Sequence, residues 1–378
     1  MAAKRRGHNE GNIKQRADGL WEARVSLPGG KRKSYYGKTR REAQDKLRTA
    51  LKGLDDGLNL SAGRQTVGQF LDQWLSASVK PSVKARTHEG YASIVRVRVA
   101  PRIGRLPLAK LSALDLQGLY AALGETGLSN RSIHHTHRCL HIAFGQAVRW
   151  NLIVRNPCDG VTPPRPERPE LRVLSQTEAR ILLDATRDHR MHALYALAVT
   201  TGMRQGELLG LRWDDLDLDG GRLAVRRALQ RRGSAGFVFT EPKTSRSRRT
   251  VMLGHLAIAA LRDHRKRQLE ERLFAGATWR DQGLVFTNRT GGPLDPSWQT
   301  ATFKAALGKA GLPAVRFHDL RHTAATLLLS RGVHPKVVSE MLGHSGIALT
   351  LDTYSHLVPV MHAEAAAAMD DMLAAKVG

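Results

Sequence analysis

The chain has 378 residues, 42% hydrophobic and 25% charged, the balance of a globular protein with room for two or three domains. Its 59 Lys plus Arg against 34 Asp plus Glu leave a formal charge of +25 and a pI near 10.8, which favours polyanions, nucleic acid above all. Two cysteines, Cys139 and Cys158, are too few for a disulfide framework or a cysteine-built zinc site. With no apolar signal segment after Met1 and no apolar run of about 18 residues, secreted and membrane-spanning readings fall away and an intracellular, reducing compartment is expected.

In chain order, Leu20 to Leu27 reads as a strand, Pro28-Gly29-Gly30 as a turn, and Lys31 to Gly37 as a return strand carrying Tyr35 and Tyr36. Arg40 to Leu54 follows as an amphipathic helix with Ala43, Leu47, Leu51 and Leu54 at helical spacing. Residues 1–60 form this first segment, with 15 Lys plus Arg against 7 Asp plus Glu. A solvated charged face accounts for that surplus as well as a nucleic-acid surface does, but a β-ribbon fits a major groove. Trp21, Arg24, Lys31, Arg32, Lys33 and Tyr35 are therefore candidate DNA contacts.

Residues 61–160 read as helical, opening with Val67, Phe70, Leu71 and Trp74 at helical spacing. Further helices are expected over Ala85 to Val99, Ser112 to Leu123 and Ser129 to Asn151, broken at Pro101 to Pro107 and Glu125 to Gly127. Lys84 and Arg86 lead the candidate phosphate contacts here, with Lys80, His88, Arg96 and Arg98, though a solvated helix face explains most of them equally. His134, His135 and His137 divide between two helix faces, which argues against a metal site. Four prolines between Val161 and Pro169 make residues 161–172 a stiff, basic linker. Ser175 with Glu178 forms a capping box that opens a third segment, residues 173–365, and residues 366–378 form a helical tail that includes Met369, Met372 and Leu373.

The third segment carries the chemistry. Arg204 lies in the run Thr200 to Leu208, and His318 and Arg321 sit three apart on a helix predicted from Phe317 to Ser330, so they share a face. His344 follows in Leu-Gly-His-Ser, and Tyr354 ten residues later. Two guanidiniums suit the non-bridging oxygens of a phosphodiester under attack, each offering a planar two-donor fork. Tyrosine is both a competent nucleophile and a good leaving group, so a phosphotyrosine conserves the bond energy without ATP, metal or other cofactor. Lys243, between strands expected at Leu223 to Leu229 and Arg249 to Leu253, is either the acid that protonates the leaving alkoxide or a phosphate-binding lysine among Arg246, Arg248 and Arg249, themselves candidate DNA contacts. Glu207 either supports Arg204 or forms a plain i, i+3 helix pair; Asp214 and Asp215 read as loop or cap residues, and His322, His334 and His356 as surface or core.

Taken together, Arg204, His318-Asp319-Leu320-Arg321, His344 and Tyr354 resemble the active site of the tyrosine recombinases, the phage integrase family. The run Ala147 to Pro157 resembles the end of that family's core-binding domain, and residues 1–60 the arm-type DNA-binding domain of integrases of the lambda type. The resemblance implies a multidomain, mainly α fold with small β-sheets: a three-stranded sheet plus helix, a helical SAM-like core-binding domain and a mixed α+β catalytic domain. It also implies roles: Tyr354 as nucleophile, Lys243 as general acid, His318 as base, His344 as hydrogen-bond donor to the phosphate, Glu207 in support. The activity implied is integration and excision through a 3′-phosphotyrosine and a Holliday junction. A homotetramer on double-stranded DNA with core and arm-type attachment sites is implied, with a DNA-bending host factor and an excisionase as possible partners, in the bacterial cytoplasm with the nucleoid. A type IB topoisomerase and a catalytically silent DNA-binding protein are the alternatives.

Overall fold

The computed structural model describes residues 12–26, 32–55, 65–167, 172–232, 236–241, 248–344 and 346–353, with 369, 370 and 373. Its contacts divide the chain into two units, Met1–Pro169 and Glu170–Gly378. In the first, β1 (Asn12–Gln15), β2 (Trp21–Ser26) and β3 (Arg32–Gly37) form an antiparallel sheet in that order, followed by α1 (Arg40–Asp55). Strand alternation sends Ala23 and Val25 to one face, where they meet Ala43 and Leu47 of α1; Ile13, Trp21, Tyr35 and Leu51 complete this small core. Glu22 is turned to the other face yet only 3% exposed, held by Arg24 Nε at 2.9 Å and by Lys14 at 3.8 Å.

The helical part of the first unit begins with a capping box, in which Thr66 and Gln69 satisfy each other's backbone N–H groups at the start of α2 (Val67–Trp74). It continues with α3 (Ala85–Ser93), α4 (Ala113–Glu125) and α5 (Asn130–Arg149). The expected break at Pro101 is displaced: the helix widens to a π-helical turn over Ile94–Val99 and runs on through Ala100–Ile103. Pro101 follows this wider turn directly, the local adjustment with which a helix accommodates a residue that has no N–H. Phe70 stacks on Phe144 at 6.0 Å and meets the edge of Trp150 at 6.2 Å, while Trp74 stacks on Tyr91 at 5.6 Å. Cys139 and Cys158 are buried thiols whose pKa values burial pushes up to about 12, which leaves them unreactive.

The second unit surrounds one helix, α7 (His192–Thr201), buried at nearly every position. Against it lie α6 (Gln176–Ala185), capped by Ser175 and Glu178, and the short α8 (Gln205–Leu209). A sheet of β4 (Leu216–Asp217), β5 (Arg222–Val225) and β8 (Arg249–Met252) follows, with a separate hairpin of β6 (Ala228–Arg232) and β7 (Gly236–Thr240). The strand expected from Leu223 to Leu229 is thus two strands in two sheets. Asp215, 5% exposed, draws both Arg226 and Arg227 to its carboxylate, and the chain turns there to deliver them. The remaining helices are α9 (His255–Ala275), α10 (Pro296–Lys309), α11 (Asp319–Leu329), α12 (Pro335–Leu342) and α13 (Ile347–Thr353).

Phe144 is fully buried between helices, so Phe144→Ala is expected to cost about 3–5 kcal/mol in urea unfolding followed by circular dichroism. A loss below about 1 kcal/mol would mean that the Phe70 and Trp150 rings collapse into the space.

Candidate active site

Two helix ends meet at the site. Helix α7 stops at Gly202 (φ +61°) and α12 at Gly343 (φ +68°), both in the left-handed region that glycine tolerates best. A Cβ on Gly202 would stand 2.4 Å from Cδ2 of the buried Leu342, which would have to shift to admit it. Arg321, on α11 and 4% exposed, donates Nη1 to Gly202 O at 2.9 Å and to Leu342 O at 2.8 Å. Arg249, at the start of β8, donates Nε to Met341 O at 2.6 Å. Arg204, the N-cap of α8, donates Nη2 to Gly343 O at 3.0 Å. Three arginines from three segments therefore bind three successive carbonyls at the C-terminus of α12, the end that carries the negative pole of the helix dipole.

Glu207 ties two of these cations together. Its carboxylate accepts from Arg204 Nη1 at 2.8 Å and from Arg249 Nη2 at 2.9 Å. Burial alone would raise its pKa, but Arg249 and then Arg204 outweigh burial and hold it below the usual carboxylate range. Three guanidiniums against one carboxylate leave a formal surplus of two positive charges.

The imidazoles respond to that field. His344 immediately follows Gly343; its backbone N–H donates to Ser339 O at 3.0 Å and its Nδ1 lies 2.7 Å from Thr350 Oγ1. Burial, then Arg321 and Arg204, lowers its pKa to about 4. His318 begins α11, its ring perpendicular to that of His322 at 5.5 Å, and partial desolvation followed by Arg321 lowers its pKa as well. Neutral imidazoles at pH 7 suit a base and a hydrogen-bond donor.

The structure brings together Arg204, Glu207, His344, His318 and Arg321 from the expected set. Tyr354, Lys243, Arg246 and Lys31 lie outside the described residues; α13 ends at Thr353, directly before Tyr354. Arg249, grouped by sequence with DNA contacts, has a 7% exposed side chain committed to Glu207 and Met341. Arg248 is exposed and paired with Glu241 at 2.6 Å. In the N-terminal sheet, Trp21 and Tyr35 face α1, with Arg40 5.9 Å over the Trp21 ring and Lys33 5.8 Å over the Tyr35 ring. Pairing of Arg24 with Ser34 and of Ser26 with Arg32 places Arg24 and Arg32 on the opposite, open face, where Tyr36 and Lys14 join them. Lys84 and Arg86 are exposed at the start of α3.

Sequence reasoning missed the contribution of Thr350 and the buried position of Arg249. It also missed a basic cavity of about 800 Å³ lined by Arg98, Arg131, His134, His135, Arg138 and Arg165. The adjacent His134-His135 pair was the signal for that cavity. Among the described residues, no group of three His, Cys, Asp or Glu side chains converges as a metal site, and no helix is long and apolar enough to cross a membrane.

Two histidines give the second unit a defined acid sensitivity. His264, 3% exposed, donates Nε2–H to Val285 O at 2.7 Å, and burial lowers its pKa to about 4, as for His344. An unfolded histidine titrates near about 6.5, so between that pH and about 4 the unfolded chain binds more protons. Stability is therefore full above about pH 6.5 and is expected to fall as pH drops toward 4. Urea unfolding across that range should show a shallower pH slope in His264→Gln; an unchanged slope would refute the assignment.

Comparison with known proteins shows the family. Residues 172–359 match the model of the phage integrase family, and residues 66–123 that of the phage integrase N-terminal SAM-like domain. A tyrosine recombinase XerC-like protein of Caldanaerobacter subterraneus is 35% identical over 359 residues, 90% of this chain and 92% of that protein. Among solved structures, the Tn1549 transposon integrase in complex with transposon right-end DNA superposes with a TM-score of 0.68 at 24% identity, over 82% of this chain and all of that one. A lambda integrase dimer bound to a COC′ core site gives 0.57 at 18% identity, over 93% of this chain and 96% of that one. The topoisomerase and silent DNA-binding alternatives are set aside, and the chain belongs to the phage integrase family of tyrosine recombinases, the site-specific DNA recombinases.

Proposed function

We propose that the site performs strand exchange with Tyr354 as nucleophile. The observation that carries this reading is the surplus of two positive charges, prearranged by backbone carbonyls beside α13, whose last described residue directly precedes Tyr354 in sequence. A phosphodiester under in-line attack gathers a second negative charge on its non-bridging oxygens, and guanidiniums already oriented by other bonds stabilise it without reorganisation. Arg204 and Arg321 hold those oxygens, Arg249 and Glu207 hold Arg204, and His344 donates a hydrogen bond to the phosphate. Neutral His318 takes the phenol proton as the Tyr354 oxygen bonds to phosphorus. Lys243 gives a proton to the departing 5′-oxygen, and a 3′-phosphotyrosine remains. Attack by the 5′-hydroxyl of another strand reverses each step and restores the phenol.

Two duplexes cut on both strands need four nucleophiles, which is the reason for a homotetramer on DNA passing through a Holliday junction. The division of labour follows the segments read from the sequence. Residues 1–60 bind arm-type sites through the open face of Arg24, Arg32, Lys14 and Tyr36. The helical segment, residues 61–160, binds the core site, and the linker at 161–172 joins it to the catalytic segment, residues 173–365. Service as an integrase of a phage or mobile element places the protein with the nucleoid in the bacterial cytoplasm. A DNA-bending host factor and an excisionase are the partners expected to set direction.

On nicked suicide substrates, wild type should accumulate a protein–DNA adduct and Tyr354→Phe none; an adduct formed by the variant would overturn the nucleophile assignment. Arg321→Lys keeps the charge but loses the fork, and is expected to slow cleavage about 10²–10³-fold in single-turnover assays. DNA affinity should fall linearly on a log–log plot against salt, because phosphate contacts release counterions. A flat response between about 50 and 200 mM salt would contradict a phosphate-dominated interface.

A further inference from the structure

We infer that Thr350 is a positioning residue for strand transfer, its hydroxyl fixing the His344 ring as the tautomer that carries its proton on Nε2. Thr350 is 0% exposed, and its Oγ1 lies 2.7 Å from His344 Nδ1. A neutral imidazole has one N–H and one lone pair, so a partner that occupies Nδ1 decides what Nε2 offers. A threonine hydroxyl can donate or accept, and geometry alone permits either arrangement. Its surroundings leave the ring one proton: burial, then Arg321, Arg204, His322 and Arg249, disfavour a second, so the ring has a single N–H to place. A phosphate oxygen can only accept, and the nitrogen facing it must donate. Nε2 therefore holds the proton, Nδ1 keeps its lone pair, and the Thr350 hydroxyl, buried away from water, donates to it.

The same bond joins two elements. The His344 backbone N–H is anchored to Ser339 of α12, the helix whose end binds the three arginines, whereas Thr350 belongs to α13, whose last described residue, Thr353, directly precedes Tyr354 in sequence. The ring is thus held at one end by the phosphate-binding assembly and at the other by α13, the helix directly before Tyr354 in sequence. This inference rests on the reading of His344 as the imidazole that contacts the phosphate.

The test compares single-turnover cleavage of a nicked suicide substrate, core-site affinity by gel shift, and the ¹⁵N shifts of the His344 ring. Thr350→Val keeps the shape and loses the hydroxyl; it is expected to slow cleavage by about 10- to 100-fold with affinity unchanged. Thr350→Ser should recover most of the rate, and the wild-type ring should show the Nε2–H tautomer. Adding Thr350→Val to His344→Ala should slow cleavage no further than His344→Ala alone. The inference is overturned by a wild-type rate in Thr350→Val, by a Thr350→Ser variant as slow as Thr350→Val, by an Nδ1–H tautomer in the wild type, or by additive losses in the double variant. Full cleavage by His344→Ala would instead remove the reading of His344 on which it rests.

Discussion

The carbonyls of Met341, Leu342 and Gly343, each bound by a different arginine, are the constraint on which the catalytic unit depends. A guanidinium taken out of water needs acceptors, and an unmet buried cation is among the costliest groups a fold can hold. The end of a helix supplies acceptors that belong to the backbone, with a favourable dipole and no ionisable group to be lost. Arg321 and Arg249 use this supply almost completely buried, while Arg204, 39% exposed at its side chain, keeps a face toward solvent. Glu207 then prevents Arg204 and Arg249 from repelling each other, without cancelling the field that an anion would meet.

That field also explains why the histidines are legible as chemistry. In open water an imidazole near neutrality is divided between two protonation states; at His344 burial, and then the surrounding cations, choose one. The cationic cluster therefore does two things, holding charge for a phosphate and adding to the burial that keeps its imidazole neighbours uncharged. Neither His344 nor His318 would be so constrained by its own helix alone.

Much of this was readable from the sequence because the residues concerned carry their signals locally. The three-residue spacing of His318 and Arg321 puts both at one helix start, and Ser175 with Glu178 marks a helix entry by itself. The third strand of the N-terminal sheet, Asn12–Gln15, was supplied by the family resemblance, since Ile13 is its only apolar residue and no alternation can be read. The face of Trp21 was legible in principle, being in phase with Ala23 and Val25, whereas that of Tyr35 depended on cross-strand register. The division of β5 from β6 was not, because its cause, Asp215, lies several residues upstream and acts through space. The position of Arg249 was equally hidden: in sequence it belongs to a basic run, and only the packing of β8 beside α12 turns it inward. Helix α9 showed no stripe to read, its apolar residues being spread round the cylinder and several, such as Leu273 and Phe274, exposed.

The arginines grip backbone oxygens and leave the side chains of α12 out of the arrangement. What the site requires of that helix is a place to stop, enforced by the left-handed glycine at 343 and by the gap that glycine leaves at 202. Its composition is otherwise held only by packing, so Met341 or Val338 can drift among apolar residues over evolutionary time while the site keeps its shape. An insertion or deletion of one residue before Gly343 has the opposite effect, since it would rotate the last carbonyls by about 100° and present the arginines with a different set. Divergent relatives should therefore preserve the length of this helix more strictly than its letters.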